Sequence, residues 1–198
     1  MLKSKQKKIL RDSIYGMTDA AIAKLAYTAG IAELDSNSNE EIRGLIKAKM
    51  ENVLRKSILY VEYYRKRTID EYMVAASISP KMWSIEPKGK SCKSPKKSKS
   101  KKRGSVFNVL SQIRFYQKRS DCLLLPILPF KRFAREVSQD FRIDVSFTKN
   151  SMIILQYSME NFITNILKKA LKNALHAGRT RVEPIDIRMA YKYSINEF

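Results

Sequence analysis

The sequence predicts an all-α chain: two short–long–short helix units in one polypeptide, clasped together, the second with an extra leading helix. Three observations predict it. Apolar residues recur at spacings of three and four over two unusually long stretches, one in each half of the 198 residues. Shorter stretches with the same period flank each long one. Between the two sets, residues 79–104 are rich in Lys, Ser and Pro and show no apolar period after Trp83, so they read as a basic linker that cannot fold alone. The expected division is residues 1–78, the linker 79–104, and residues 105–198.

In the first half, Thr18 is placed to cap a short helix carrying Ile22, Leu25 and Ala26, and Gly30 follows it. The run Asp35-Ser-Asn-Ser-Asn39 is turn chemistry. Ser38 and Glu41 have capping-box spacing and open the long helix of Ile42, Leu45, Ile46, Met50, Val53, Leu54, Ile58 and Val61. That helix ends in the basic loop Arg65-Lys66-Arg67. Thr68 and Glu71 repeat the capping-box spacing before a short helix with Val74, Ala75 and Ile78.

In the second half, residues 105–120 form the extra helix, with Val109, Ile113 and Tyr116 on one stripe. Pro129 suits the first turn of a short helix through Phe130, Phe133, Val137 and Phe141. A loop at 142–148 precedes the second long helix, marked by Met152, Leu155, Met159, Phe162, Ile163, Ile166, Ala170 and Ala174. The basic loop Gly178-Arg-Thr-Arg181 follows, and Pro184 opens a last helix with Ile187, Ala190 and Tyr191. The plan is an internal repeat. A three-helix unit with so long a middle helix leaves its own apolar face uncovered, and the nearest cover is the other half of the chain.

Charge points to a polyanionic partner. Lys and Arg number 39 against 19 Asp and Glu, for a net charge of +20. Residues 1–11 carry five basic and no acidic side chains, and residues 86–104 carry nine basic and one acidic, so most of the excess lies in these two segments. Cys92 and Cys122 are the only cysteines and form no metal-binding spacing, which argues against a disulfide framework or a zinc site. No secretory leader, membrane-length apolar run or phosphate-cradling glycine loop is expected. One histidine and no nucleophile–base arrangement make an enzyme unexpected, with no catalytic residues, cofactor or metal.

Specific stretches then carry a family resemblance. Lys8-Ile-Leu-Arg-Asp-Ser-Ile-Tyr-Gly-Met-Thr18, Glu40-Glu-Ile-Arg-Gly-Leu-Ile-Lys47, Glu51-Asn-Val-Leu-Arg55 and Arg65-Lys-Arg-Thr68 make residues 8–78 resemble histone H4. Ile113-Arg-Phe-Tyr-Gln-Lys118, Leu128-Pro-Phe-Lys-Arg-Phe-Ala-Arg-Glu-Val-Ser-Gln-Asp-Phe141 and His176-Ala177 make residues 104–193 resemble histone H3. The fused order is similar to the histone doublets of giant DNA viruses of amoebae, of the marseillevirus kind. The resemblance implies two histone folds in one chain forming an intramolecular handshake. It implies a core histone that packages double-stranded DNA into nucleosome-like particles without sequence specificity. DNA is held there through phosphate contacts, minor-groove arginines and helix N-termini. It also implies a second copy joined through the C-terminal half, a sister histone doublet made of the other two core histones, and no membrane. The setting would be a chromatin-like nucleoprotein, in a viral factory and virion if the chain is viral and otherwise in a nucleus.

Carried over residue by residue, the expected DNA-facing positions are Arg11, Lys24, Arg65, Lys66, Arg67 and Thr68 in the first half. In the second half they are Arg114, Tyr116, Lys118, Arg132, Arg135, Arg179 and Arg181. His176, Arg179 and Asp186 match the contact between copies, and Arg179 with Asp186 also matches a clamp from loop to last helix. The first half has Lys66 and Met73 at the clamp positions and so lacks it. Tyr60, Tyr63 and Trp83 are candidates for a partner surface. Two departures stand out: Glu33 and Ser146 occupy loop positions where the family offers an arginine, and the first short helix reads Ala23, Lys24, Tyr27, Thr28 where arginines are dense. Looser DNA wrapping is expected. The rival reading is a histone-fold transcription subunit that acts through protein contacts, for which acidic or neutral loops would speak.

Overall fold

Two long helices, one from each half, set the frame of the molecule. The computed structural model describes residues 13–78, 90–91, 105–118 and 122–196. Among them are seven α-helices: α1 (Asp19–Ala29), α2 (Ser38–Tyr63), α3 (Glu71–Ile78), α4 (Ser105–Gln117), α5 (Ile127–Gln139), α6 (Lys149–His176) and α7 (Pro184–Asn196). The long α2 and α6 have 26 and 28 residues, so each spans roughly 40 Å. Their apolar stripes are buried as the periodicity requires: Ile42, Ile46, Met50, Val53, Leu54, Ile58 and Val61 on α2, and Met152, Leu155, Met159, Ile163, Ile166, Ala170 and Ala174 on α6.

The two halves pack across each other. The long α6 lies against α1 and α3 of the first half, while α2 lies against α5 and α7 of the second. One continuous core results, with Leu25, Met50 and Val74 from the first half and Phe130, Leu155 and Ile187 from the second. Each such side chain contributes about 1.5–3 kcal/mol on burial. Neither half could keep this apolar surface dry alone.

Six two-residue strands tie the loops together in parallel pairs. Strand β1 (Glu33–Leu34) pairs with β6 (Arg181–Val182), and β2 (Thr68–Ile69) with β5 (Ser146–Phe147). Each of these pairs joins a loop of one half to a loop of the other. The third pair joins β3 (Lys90–Ser91) to β4 (Cys122–Leu123). The expected structureless linker is therefore pinned at one point to the segment before α5.

Several local expectations are corrected. Thr18 flanks α1, but its side chain makes no cap bond; its carbonyl accepts from Ala21 N at 2.9 Å and Ile22 N at 3.1 Å. The Ser38–Glu41 capping box does not form, because Ser38 is buried with its hydroxyl 3.4 Å from Val182 O, and Glu41 pairs with Arg188. Thr68 is taken by β2, so the carbonyl accepting the first bond of α3 is Asp70's, from Val74 N at 3.3 Å. The extra helix stops at Gln117, short of residue 120. Helix α5 starts after Pro126, whose carbonyl accepts from Phe130 N at 3.3 Å. Pro129 sits inside that first turn, where a missing N–H costs no bond. Phe141 lies beyond the helix, and Arg55 rests over its ring at 5.3 Å.

Three helix ends close alike. Ile31 N reaches Ala26 O at 2.9 Å, Lys66 N reaches Val61 O at 3.0 Å, and Arg179 N reaches Ala174 O at 2.9 Å. This wrap needs a left-handed residue one position earlier. Glycine supplies it twice, at Gly30 (φ 94°) and Gly178 (φ 70°). After α2 the residue is Arg65, at φ 52°, the one non-glycine with positive φ among the described residues.

Candidate nucleic-acid interface

The crossed packing brings two loops together at each of two places. The first loop pair, β1 with β6, leads into the N-terminus of α2. The second, β2 with β5, leads into the N-terminus of α6. Parallel register fixes Glu33 opposite Arg181 in the first and Thr68 opposite Ser146 in the second.

The second loop pair is cationic and open. Arg65, Lys66, Arg67 and Thr68 are all exposed. Lys66 reaches Asp70 at 2.7 Å, whereas Arg65 and Arg67 pair with no carboxylate among the described residues. The backbone carbonyl of Arg67 accepts from Ser146 N at 3.0 Å, so the loop is fixed while its guanidinium has no carboxylate partner among the described residues. Helix α6 begins beside it with no acidic residue in its first turn, and the Thr148 hydroxyl accepts from Ser151 N at 3.2 Å. Fixed backbone, free guanidinium groups and helix-terminal amides are the chemistry that holds phosphate.

The first loop pair is neutralised. Arg181 is tied to Asp35, and Arg188 to Glu41. The hydrogen bond to Glu41, and after it Glu41's charge, push the Arg188 guanidinium further up in pKa. Arg43 reaches Asp19 at 2.5 Å and Met17 O at 3.2 Å. Glu33 remains exposed without a cationic partner among the described residues, and the first turn of α2 adds Glu40.

The other expected residues divide. Arg114, Lys118, Arg132 and Arg135 are exposed, and Lys24 is half-buried. Tyr116 is a correction: only 4 % exposed, it stacks on Tyr27 of α1 at 6.2 Å and so anchors α4 to the first half instead of facing DNA. Burial and the neighbouring Tyr27 raise its hydroxyl's pKa. Arg179 forms the loop clamp, 3.0 Å from Asp186 and 3.0 Å from Glu183. Asp186 also accepts from Glu183 N at 3.0 Å and is 3 % exposed, so its own chain already buries it. His176 stays exposed. Tyr60 and Tyr63 are exposed, and a groove of about 400 Å³ runs beside Tyr60, Tyr64 and Tyr72. Arg11 and Trp83 lie outside the described residues.

Sequence reasoning missed Asp19, Asp35, Glu41, Arg43 and Arg188. The Asp35–Arg181 and Glu41–Arg188 partners are 146 and 147 residues apart, and no spacing signals such a pair.

With these loops in view, comparison with protein families is decisive for the second half. Residues 106–193 match the core histone domain, the one common to the four histones H-two-A, H-two-B, H3 and H4. The matched span runs from α4 to α7, so β5, β6 and the Arg179–Asp186 clamp belong to a core histone fold. At the level of the family, a core histone domain supports a DNA-packaging, chromatin-associated role, structural and not enzymatic, with dimerisation to histone partners. No helix among the described residues is long and apolar enough to cross a membrane.

Proposed function

We propose that this chain is a histone doublet, an H4-like fold fused to an H3-like fold. It packages double-stranded DNA as a structural component of viral chromatin. The first half supplies the histone partner that the core histone domain needs. What carries the reading is the crossed loop pairing: Thr68 meets Ser146 and Glu33 meets Arg181, so each loop of the core histone domain is completed by one from residues 13–78. The exposed Arg65 and Arg67 beside the α6 N-terminus supply the phosphate-binding chemistry. Arg114, Lys118, Arg132 and Arg135 extend it. Binding runs through the backbone and carries no sequence preference.

The assembly continues through two faces. Leu175, Ile185, Met189 and Tyr193 are exposed in the C-terminal half, as is His176, and supply the surface for a second copy. Tyr60 and Tyr63 form the face toward a sister doublet of the other two core histones. A viral factory and virion are the proposed setting, with a nucleus the alternative.

The test is nuclease digestion of DNA reconstituted with the purified chain and its sister histones. A protected fragment of defined length supports packaging; a smear without protection refutes it. A histone-fold transcription subunit is the second reading, and the neutralised first loop pair favours it. In that case the chain would bind protein partners while binding DNA with little salt dependence.

A further inference from the structure

The two loop pairs are unequal, and the inequality is built from the chain's own carboxylates. At the first pair, Arg43, Arg181 and Arg188 each face an acid: Asp19, Asp35 and Glu41. All three acids come from the first half, and two of the arginines come from the second. Glu33 is left over on the rim, opposite Arg181 in the strand register. Asp35 is well sheltered, its side chain 19 % exposed, whereas that of Arg181 is 56 % exposed. The carboxylate is therefore held in place while the guanidinium still reaches solvent. Asp35 is held twice more: its Oδ2 accepts from Asn37 N at 3.3 Å and its backbone N–H donates to Val182 O at 3.1 Å. A phosphate approaching Arg181 must displace a pre-positioned anion and pass Glu33.

We propose that the first loop pair is a DNA contact held shut by Asp35, so that the chain grips DNA through its second loop pair and only conditionally through Arg181. This rests on the DNA-packaging reading. It makes Asp35 a positioning residue that competes with phosphate for one guanidinium. The bound DNA is then firmly held at one end of the clasp and loosely at the other.

The experiment measures affinity of the full chain for a short mixed-sequence duplex between about 50 and 200 mM salt, where each phosphate contact contributes about 0.9 to the log–log slope. Asp35→Asn keeps the side-chain oxygen for the Asn37 turn but removes the competing charge. It is expected to steepen the slope by about one and to tighten binding roughly fivefold to tenfold at low salt. Arg181→Ala added to it should cancel the gain, while Arg181→Ala alone should change the slope little. Arg67→Ala, by contrast, should lower the slope by about one. Should Asp35→Asn prove misfolded by circular dichroism, Glu33→Gln serves instead, with a smaller tightening expected. The proposal is overturned if Arg181→Ala alone lowers the slope as much as Arg67→Ala, or if the folded Asp35→Asn chain binds unchanged. If Arg67→Ala also leaves the slope unchanged, or binding is indifferent to salt, the packaging reading falls with it.

Discussion

The two loop pairs share one backbone design and opposite electrostatics. Each is a two-residue parallel ladder leading into a long helix. At the first, the loop of the core histone domain is clamped by Arg179 on a buried Asp186, and its arginine is shielded by Asp35. At the second, the clamp positions hold Lys66 and the buried Met73, Lys66 pairs with Asp70 instead, and Arg65 sits in strained backbone without a carboxylate partner among the described residues. The lesson is that the same fold can spend its charges on holding itself together or on holding a ligand. The first pair has Arg181 and Arg188 matched to acids of its own chain; the second leaves Arg65 and Arg67 without a carboxylate among the described residues.

The largest effect should come from the clamp. Asp186→Ala leaves Arg179 without its buried partner and removes the acceptor for Glu183 N. Breaking a fully buried pair costs about 3–5 kcal/mol. Because Arg179 is 32 % exposed, a loss of about 2–3 kcal/mol is expected in urea unfolding. Asp70→Ala, which breaks the exposed counterpart, should lose under about 1 kcal/mol. Equal losses would erase the contrast between the two loops. The clamp also bears on assembly, since Asp186 is buried before any second copy arrives. A drop in sedimentation mass for Asp186→Ala therefore counts as an interface effect only if the monomer remains folded.

A second contrast lies in the segments leading into the first short helix of each half. In the first half, Arg43 of α2 donates to Met17 O at 3.2 Å. In the second, Glu160 of α6 accepts from Leu124 N at 2.9 Å and Leu125 N at 2.9 Å, and from Gln156 Nε2 at 2.9 Å. A long-helix side chain holds the lead-in in both, as a cation on a carbonyl or an anion on amides. Burial pushes the Glu160 carboxyl above its ordinary 4.5, more than these hydrogen bonds lower it. The folded state thus favours the protonated form. The stability so gained is full at acid pH and is lost as pH climbs from about 4.5 through the raised value. Compared with Glu160→Gln, the unchanged chain should lose ground steadily as unfolding is measured from acid to neutral pH. A constant difference between the two would remove the titration argument.

The smallest effect belongs to Arg65. A non-glycine residue in the left-handed region costs about 1–2 kcal/mol, partly offset by the lower chain entropy it has when unfolded. Arg65→Gly should therefore raise stability by about 0.5–1 kcal/mol while weakening DNA binding. A variant that gains stability and keeps its full DNA affinity would mean that the arginine is there for neither reason.

Much of this architecture is legible in the sequence, because helices are periodic and burial follows the stripe. The long helices, their apolar faces and the basic loop Arg65-Lys66-Arg67 all follow from local pattern. Tyr116 was legible too: it shares the stripe of Val109 and Ile113, and its spacing marks it as packed, which outweighs a family position. The short strands were not legible, since two residues make no pattern and the partner loops are far apart in the chain. Nor were the carboxylates that quiet the first loop pair. Glu33 read as a missing arginine, but that Asp35 also engages Arg181 follows only from the crossing of the halves. The Ser38 capping box failed for a related reason: the hydroxyl found a carbonyl from the other half.

The clasp between α2 and α6 closes within one polypeptide, and this changes how the molecule responds to dilution. Partners held by separate chains come apart by mass action as they become scarce, so their melting depends on how much protein is present. Here the matching surface travels with its mate. Every molecule leaves the ribosome with equal parts of both, and the opening of this clasp, as distinct from any contact between copies, should follow a first-order course at any dose.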